Sequence, residues 1–216
     1  MSGGRPLVVI GAGGFGREAL DVVAALNSAM ATPLFDVLGV IDDSPSAVNL
    51  ERLSRRGIKH LGSIEAWLAG SMTAGYVIGI GSPAARARVE DKLLAAGLQP
   101  ITLVHPTAGL GSDLHLGAGS VVCAGVQVST NVELGRQVHL NPNATIGHDT
   151  VLADYVSVNP GAIISGECCI GRGTLVGAGA LVLQGVTVGR GSLVGAAACV
   201  TRDVPDDTTV KGVPAR

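Results

Sequence analysis

From Val104 onward, every sixth residue is aliphatic: Val104, Leu110, Leu116, Val122, and so on without a miss to Val188, Val194 and Val200. Those 96 residues hold sixteen steps, and all seventeen positions are Val, Ile or Leu. Two residues before each stands a small or β-branched side chain, among them Ser120, Val132, Ala144, Thr150, Ala162, Cys168, Thr174, Ala180 and Ser192. Leu114 is the main exception. A six-residue period cannot hold one face of a helix with 3.6 residues per turn. It fits short strands with a corner after each. Three such strands close one coil of about 18 residues, so this part of the chain is expected to form a parallel β-helix. The aliphatic residue points inward and stacks on its copy one coil later.

Composition agrees with a narrow interior. Aromatic residues make up 2% of the chain, and glycine is 32 of 216. Phe, Tyr and Trp normally supply bulk to a core, and a slim prism has no room for them. Glycines, as in "IGRGTLVGAGALVLQGVTVGRGSLVGA", are expected to supply positive φ at the corners. No hexad is interrupted between 104 and 200, so no long loop leaves the coil there. The tail "TRDVPDDTTVKGVPAR" breaks the period. Its prolines and charges suit a cap over an open sheet end.

The front of the chain reads differently. "PLVVI" is a buried strand, "GAGGFG" a turn, and "REALDVVAAL" a helix. "FDVLGVIDD" and "GYVIGIGS" are further strands, "PAARARVEDKLLAAG" a helix, and "PITLVH" a last strand. This is a small Rossmann-like α/β domain over residues 1–105, followed by the β-helix domain with its C-terminal cap over 106–216. Gly11, Gly13 and Gly16 fit G-x-G-x-x-G in its strand–turn–helix setting. Two readings stand side by side. The glycines cradle a phosphate group at a helix N-terminus, with Asp42 on a ribose, or they only permit tight strand–helix packing. The unit is about half a full dinucleotide fold. A mononucleotide, such as the nucleoside diphosphate of an activated sugar, therefore suits it better than a nicotinamide dinucleotide.

Bulk properties exclude several classes. Hydrophobic residues at 47% and charged residues at 15% support a large core and argue against disorder. A net charge of −2 suggests neither a nucleic-acid nor a membrane-surface partner. "PLVVIGAG" is too short for a signal h-region or a membrane span, so a cytoplasmic protein is expected. Cys123, Cys168, Cys169 and Cys199 show no CxxC spacing and read as buried free thiols, not as metal ligands or disulfides.

In "ATIGHDTVLADYVSVNPGA", His148 and Asp149 sit side by side among small and aliphatic residues. His148 lies two residues after the inward Ile146, so it projects from the prism. A histidine with a reference pKa near 6.5 can take a proton at neutral pH. A neighbouring carboxylate orients the ring and stabilises the imidazolium. The same dipeptide also suits a solvated turn.

An α/β unit, hexapeptide repeats and a "GVPAR" ending together resemble the bacterial sugar acyltransferases of the NeuD/PglD type. The resemblance covers essentially the whole chain. It is carried by "VVIGAGGFGREALDVV", "GVIDD", "VIGIG", "LVHPTA", "HLNPNATIGHDTVLADYVSVNPGA" and "GVPAR". It implies a left-handed β-helix and acetyl-coenzyme A as acyl donor. It also implies a sugar acceptor, commonly the amine of a nucleotide-linked amino sugar, and a homotrimer with active sites between neighbouring β-helices. No metal is implied. By this resemblance His148 is the catalytic base, Asp149 its adjacent carboxylate and Asn141 a polar residue near the reacting centre. Gly13, Gly14, Phe15, Asp42, Asp43 and Gly81 match the sugar-nucleotide contacts. Ser157, Gly166, Ala178 and Gly195 match coenzyme A-facing positions. Many relatives carry a second histidine where this chain has Ser157, whose hydroxyl can still donate a hydrogen bond. His139 could serve in its place. His105 is expected at the junction of the two domains.

Coenzyme A phosphates need basic partners. Past residue 110 the cations are Arg136, Arg172, Arg190, Arg202, Lys211 and Arg216, five of them at or beyond 172. That clustering suits a coenzyme A site near the C-terminal coils, with Lys211 and Arg216 as cofactor-binding candidates; it also suits an outward face that needs charge for solubility.

Rival readings keep parts of this. A γ-carbonic-anhydrase-like zinc hydratase needs a close histidine pair. Here His115, His139 and His148 stand 24 and 9 residues apart. A non-catalytic β-helix scaffold would leave the His-Asp pair and the glycine signature without a role. O-acetylation of a sugar hydroxyl, as in sialic acid, would use the same base, and the nucleotide-like loop favours the amino sugar. A ping-pong route through Cys168 or Cys199 lacks an activating partner.

Overall fold

The computed structural model describes residues 3–70 and 74–216. It forms two compact units, Met1–Leu103 and Val104–Arg216. In the first, strands β1 (Arg5–Ile10), β2 (Phe35–Ile41) and β3 (Gly75–Ile78) make a parallel sheet in the order β2-β1-β3. Single bridges from Val40 to His60 and from Tyr76 to Pro100 extend both edges. The central strand is apolar on both faces, as a covered parallel sheet requires, and Leu7, Val8 and Val9 are fully buried. The described residues also form α1 (Gly14–Ser28) after β1, α2 (Ala47–Ser54) and α3 (Ile64–Leu68) after β2, and α4 (Pro83–Ala95) after β3. Serine side chains cap three of them: Ser46, Ser63 and Ser82 each accept an amide of the first turn.

The predicted elements are present with shifted ends. Helix α1 begins at Gly14 instead of Arg17. Strand β2 ends before Asp42. "PITLVH" does not form one strand: Pro100 bridges to Tyr76, whereas Leu103–Val104 opens the first coil of the solenoid. Helices α2 and α3, at eight and five residues, are too short for a periodicity window to reveal.

The second unit is a solenoid of two-residue strands from Leu103–Val104 to Thr209–Val210, arranged in parallel sheets of seven, six and five strands. Up to the last coil, strands eighteen residues apart pair: His139 with Ser157, Thr145 with Ile163, Val151 with Cys169. The aliphatic row is buried from Val122 onward. Leu110 is 39% exposed, because the first coil has no coil beneath it. The residues two before the row are buried as well, so each hexad sends two side chains inward. Their hydroxyls reach carbonyls of the next coil: Ser120 Oγ to Gly135 O at 3.0 Å, Thr150 Oγ1 to Ser165 O at 3.1 Å, Thr174 Oγ1 to Gly189 O at 2.7 Å. A narrow core thus holds polar atoms without leaving them unpaired.

The corners depart from expectation. At every sixth residue from Asp113 to Ala197 the backbone φ is positive, yet only seven of these fifteen positions are glycine. The others are Asp113, Asn131, Gln137, Asn143, Asp149, Tyr155, Glu167 and Ala197. Asn and Asp tolerate this region better than most residues, and a tightly registered coil holds the remainder there. The tail is more than a cap. Val204 bridges to Val188, and Leu193–Val194 pairs with Thr209–Val210, so a final coil of sixteen residues keeps the register. Val204, Val210 and Ala215 are buried. Lys211 and Arg216 then exchange backbone hydrogen bonds of 3.0 and 3.2 Å. All four cysteines are free, but only Cys123 and Cys168 are buried. Cys169 is exposed, a correction that follows from its place one residue before the inward Ile170.

Candidate active site

His148 and Asp149 occupy the corner between the six-stranded and five-stranded sheets, after Thr145–Ile146 and before Val151–Leu152. Asp149 has φ 57°, which turns its carboxylate back toward the neighbouring ring. His148 Nδ1 lies 2.6 Å from Asp149 Oδ2, and the two side chains are 47% and 48% exposed. An ionised carboxylate only accepts hydrogen bonds, so Nδ1 carries the proton and Nε2 presents its lone pair. The second carboxylate oxygen, Oδ1, accepts from Asn131 Nδ2 at 2.9 Å. The Asn131 bond first, and the His148 bond next, hold the Asp149 carboxyl below its ordinary range. It therefore stays ionised at neutral pH. The imidazole lies over Gly166 of the following coil: a Cβ there would stand 2.6 Å from the ring. The amide of Glu167 donates to His148 O at 2.8 Å, fixing the backbone beneath the ring.

Sequence reasoning missed Asn131. The signal was available once the coil length was known, since Asn131 stands one coil of eighteen residues before Asp149.

The other predicted residues of this unit lie elsewhere on the prism. Asn141 stands at the preceding corner, between the seven- and six-stranded sheets; it is buried, and its Nδ2 donates to Val158 O at 3.0 Å. Ala178 and Gly195 follow on that same edge two and three coils later, and Lys211 continues it: a Cβ on Gly195 would meet the Lys211 Cβ at 3.0 Å. The backbone pair with Lys211 holds Arg216 beside it. Ser157 lies on the seven-stranded face paired with His139, and both are buried. One edge therefore carries His148, Asp149 and Gly166, and another carries Asn141, Ala178, Gly195 and Lys211. On the third edge Arg172 pairs with Asp154 at 3.1 Å and stacks 4.5 Å over Tyr155, while Arg190 pairs with Asp206 at 3.0 Å. Those two cations meet acidic partners within the chain, which divides the C-terminal basic cluster.

In the first unit the glycines split into two kinds. Gly11 has φ 110°, and a Cβ on Gly16 would stand 1.9 Å from Gly11 O. A Cβ on Gly79 would stand 2.3 Å from Gly16 Cα. These three are demanded by close strand–helix packing. Gly13, Gly14 and Gly81 have nothing within 4 Å of a built Cβ and leave open space above the loop. Phe15 is half-buried beside them. Asp42 anchors this loop: Oδ2 accepts from Ala12 N at 2.7 Å and Oδ1 from Ser44 N at 2.9 Å. Asp43 Oδ1 accepts from Ile64 N at 2.8 Å, and Asp43 also rims a cavity of about 620 Å³ floored by Ile64, Leu68 and Ala95. Among the described residues no group of three or more His, Cys, Asp or Glu side chains could hold a metal ion. No helix among them is long and apolar enough to cross a membrane.

Comparison with known proteins completes the assignment. The PglD N-terminal domain family matches residues 6–93. GDP-perosamine N-acetyltransferase of Escherichia coli O157:H7 is 31% identical over 80 residues, 37% of this chain and 36% of that protein, so the match spans about a third of the curated relative. The acetyltransferase domain of PglB from Neisseria gonorrhoeae FA1090 is 31% identical over 98% of each chain, with a TM-score of 0.84. That domain has also been solved in complex with acetyl coenzyme A. PerB from Caulobacter crescentus, solved in complex with CoA and GDP-perosamine, is 27% identical over 99% of this chain and 96% of that one, with a TM-score of 0.86. A small α/β unit joined to a left-handed β-helix, with likeness of this extent, makes the chain a member of the NeuD/PglD-type family of sugar acetyltransferases.

Proposed function

We propose that this protein transfers an acetyl group from acetyl-coenzyme A to the amino group of a nucleotide-linked amino sugar, with His148 as general base. The observation that carries the reading is the 2.6 Å contact between His148 Nδ1 and Asp149 Oδ2, which leaves Nε2 free at an exposed corner. Full-length likeness to PerB, solved with CoA and GDP-perosamine, supports the two substrates. The neutral sugar amine attacks the thioester carbonyl carbon. The C–S bond breaks as the tetrahedral intermediate collapses, and coenzyme A leaves as its thiol. His148 Nε2 takes the proton that the amine loses and passes it to the departing sulfur. Asp149 stabilises the imidazolium while it lasts.

The open loop at Gly13 and Gly14, with Phe15 and Gly81 beside it, is the proposed seat of the sugar nucleotide. Asp42 acts there by holding the loop. The cavity beside Asp43 has the size of a small-molecule site. Coenzyme A is assigned to the edge of Asn141, Ala178, Gly195, Lys211 and Arg216, with Ser157 on the adjoining face. Gly166 seats the base on the other edge. Because these two sets lie on different edges of one prism, a complete site is formed by the His148 edge of one subunit and the Asn141 edge of the next. A homotrimer supplies that arrangement three times. The exposed apolar side chains of Val151 and Ile163 suit burial in such an assembly. Four free thiols suit the reducing cytoplasm.

The test is thiol release from acetyl-coenzyme A against GDP-, UDP- and dTDP-linked amino sugars, with His148→Ala in parallel. Turnover with one nucleotide amino sugar, reduced about 100-fold or more by the substitution, supports both the reaction and the base. Turnover that survives the substitution removes His148 from the mechanism. No turnover with any of them overturns the acceptor class.

A further inference from the structure

We propose that Asn131 is a positioning residue for the base, setting the His148 ring through Asp149. The proposal rests on the reading of His148 given above.

Corner residues eighteen apart stack, so Asn131 lies one coil before Asp149, and both have positive φ, 56° and 57°. Asp149 N donates to Thr130 O at 3.1 Å, which ties the two corners together through the backbone. The side chains then form a line. Ser112 Oγ lies 3.0 Å from Thr130 Oγ1, Thr130 Oγ1 lies 3.1 Å from Asn131 Oδ1, Asn131 Nδ2 lies 2.9 Å from Asp149 Oδ1, and Asp149 Oδ2 lies 2.6 Å from His148 Nδ1. The carboxylate orients the amide: Nδ2 meets an oxygen that can only accept, while Oδ1 faces the Thr130 hydroxyl, whose single proton is shared between it and Ser112 O at 3.0 Å. A flipped amide would set its carbonyl against the carboxylate.

This line solves a problem particular to an exposed site. Asp149 is half in water, where a single hydrogen bond to the ring would not hold its carboxylate in one rotamer. Asn131 occupies the oxygen that His148 does not, so the carboxylate is pinned at both ends. The residue type is doubly constrained. Glycine would accept the backbone but lacks the donor. Aspartate would accept the backbone and place a second negative charge beside the first. The other charged groups around this corner are Asp113, two coils before Asp149, Glu133, which pairs with Val151 on the adjoining strand, and Glu167, one coil after Asp149, whose carboxylate is held by Gln184 Nε2 at 2.8 Å. Asn131 touches neither ring nitrogen and acts only through Asp149.

Two variants separate positioning from mere structure. Asn131→Gly keeps the corner backbone unstrained and removes the amide. Its unfolding temperature should match the wild type, while kcat falls about 3- to 10-fold with KM for acetyl-coenzyme A unchanged, the effect of about one lost hydrogen bond. Asn131→Asp keeps the shape and adds charge. The added charge stabilises the imidazolium, and the base works only when neutral, so the acid limb of the kcat/KM profile should move to higher pH. His148→Ala, measured alongside, tells the two readings apart. If His148→Ala is inactive and both Asn131 variants keep the wild-type kcat and pH profile, the positioning role is overturned and the base stands. If His148→Ala remains active, the base assignment fails, and NMR titration of the His148 ring decides the positioning role by itself. A ring that titrates at higher pH in Asn131→Asp than in the wild type supports it, and an unmoved titration overturns it.

Discussion

The ring of His148 lies over the backbone of Gly166, with Cε1 and Nε2 each 2.6 Å from where a Cβ on that glycine would stand. The surroundings of the proposed base are therefore shaped from two coils: its own, which supplies the carboxylate, and the next, which supplies an absence of side chain. Gly166→Ala should displace the ring at little cost to folding, because the ring is half exposed and can yield toward solvent by giving up its contact with Asp149. With His148 as the proposed base, its displacement by about 1 Å should lower kcat about 10- to 100-fold. Steady-state kinetics with a parallel melting curve checks this; a variant with normal kcat would mean that the ring position seen here is not the working one.

The glycine signature at the front of the chain contains two populations with opposite sensitivities. Gly16→Ala drives a Cβ into Gly11 O at 1.9 Å and should destabilise the first unit by about 2–4 kcal/mol. Gly14→Ala meets open space and, inside helix α1, should leave stability within about 0.5 kcal/mol of the wild type or raise it. With the nucleotide sugar seated as proposed, its effect should fall on KM for that substrate, because the added methyl narrows the loop. Thermal unfolding and substrate titration of both variants separate the two. Equal losses of stability would refute the division.

Cys168 faces into the prism, and burial pushes its thiol above the ordinary range. Less of it is thiolate at neutral pH, so it is a poor nucleophile. Cys168→Ser preserves the size of the group, and its hydroxyl can donate to Leu183 O as Thr150 donates to Ser165 O. Direct transfer predicts kcat within about twofold of the wild type, whereas a covalent acetyl-thiol route predicts its abolition. Mass spectrometry of the wild type incubated with acetyl-coenzyme A alone should show no acetylated enzyme.

The repeat was legible because it is a backbone rule written in side chains. An inward position must be aliphatic in every coil, so Val122 and Val200 declare themselves without knowledge of anything between them. The corners were less legible. Positive φ is cheapest for glycine, but a coil held by ladders on all three faces can impose it on Tyr155 or Glu167, and their letters carry no sign of it. The short final coil was hidden for a related reason: Val204 and Val210 fall out of phase with the hexads, although the ladder accepts them. At the site, His148 and Asp149 were visible as neighbours in sequence, and a step of one coil leads from Asp149 to Asn131. Gly166 was placed by resemblance on a coenzyme A-facing position, yet its contact with the ring depends on how far the imidazole leans along the prism axis. The sequence points to Asp42 as a ribose ligand; that both its oxygens accept loop amides follows only from the turn that brings Ala12 and Ser44 to it.

Eighteen-residue stacking, kept in every coil but the last, makes the solenoid a ruler with two scales. Its interior reads the sequence modulo six, because any inward aliphatic can sit on any other. Its edges read the sequence modulo eighteen, because a given corner meets its own kind only after a full coil. Inserting one hexad between Asn131 and His148 would leave the core uninterrupted and the fold intact. It would also carry His148 to a different edge, away from Asn131. Inserting a whole coil there would return His148 to its edge, about 4.8 Å further along the prism. In this architecture length can change in units that the core does not register, while the chemistry is confined to one phase in three.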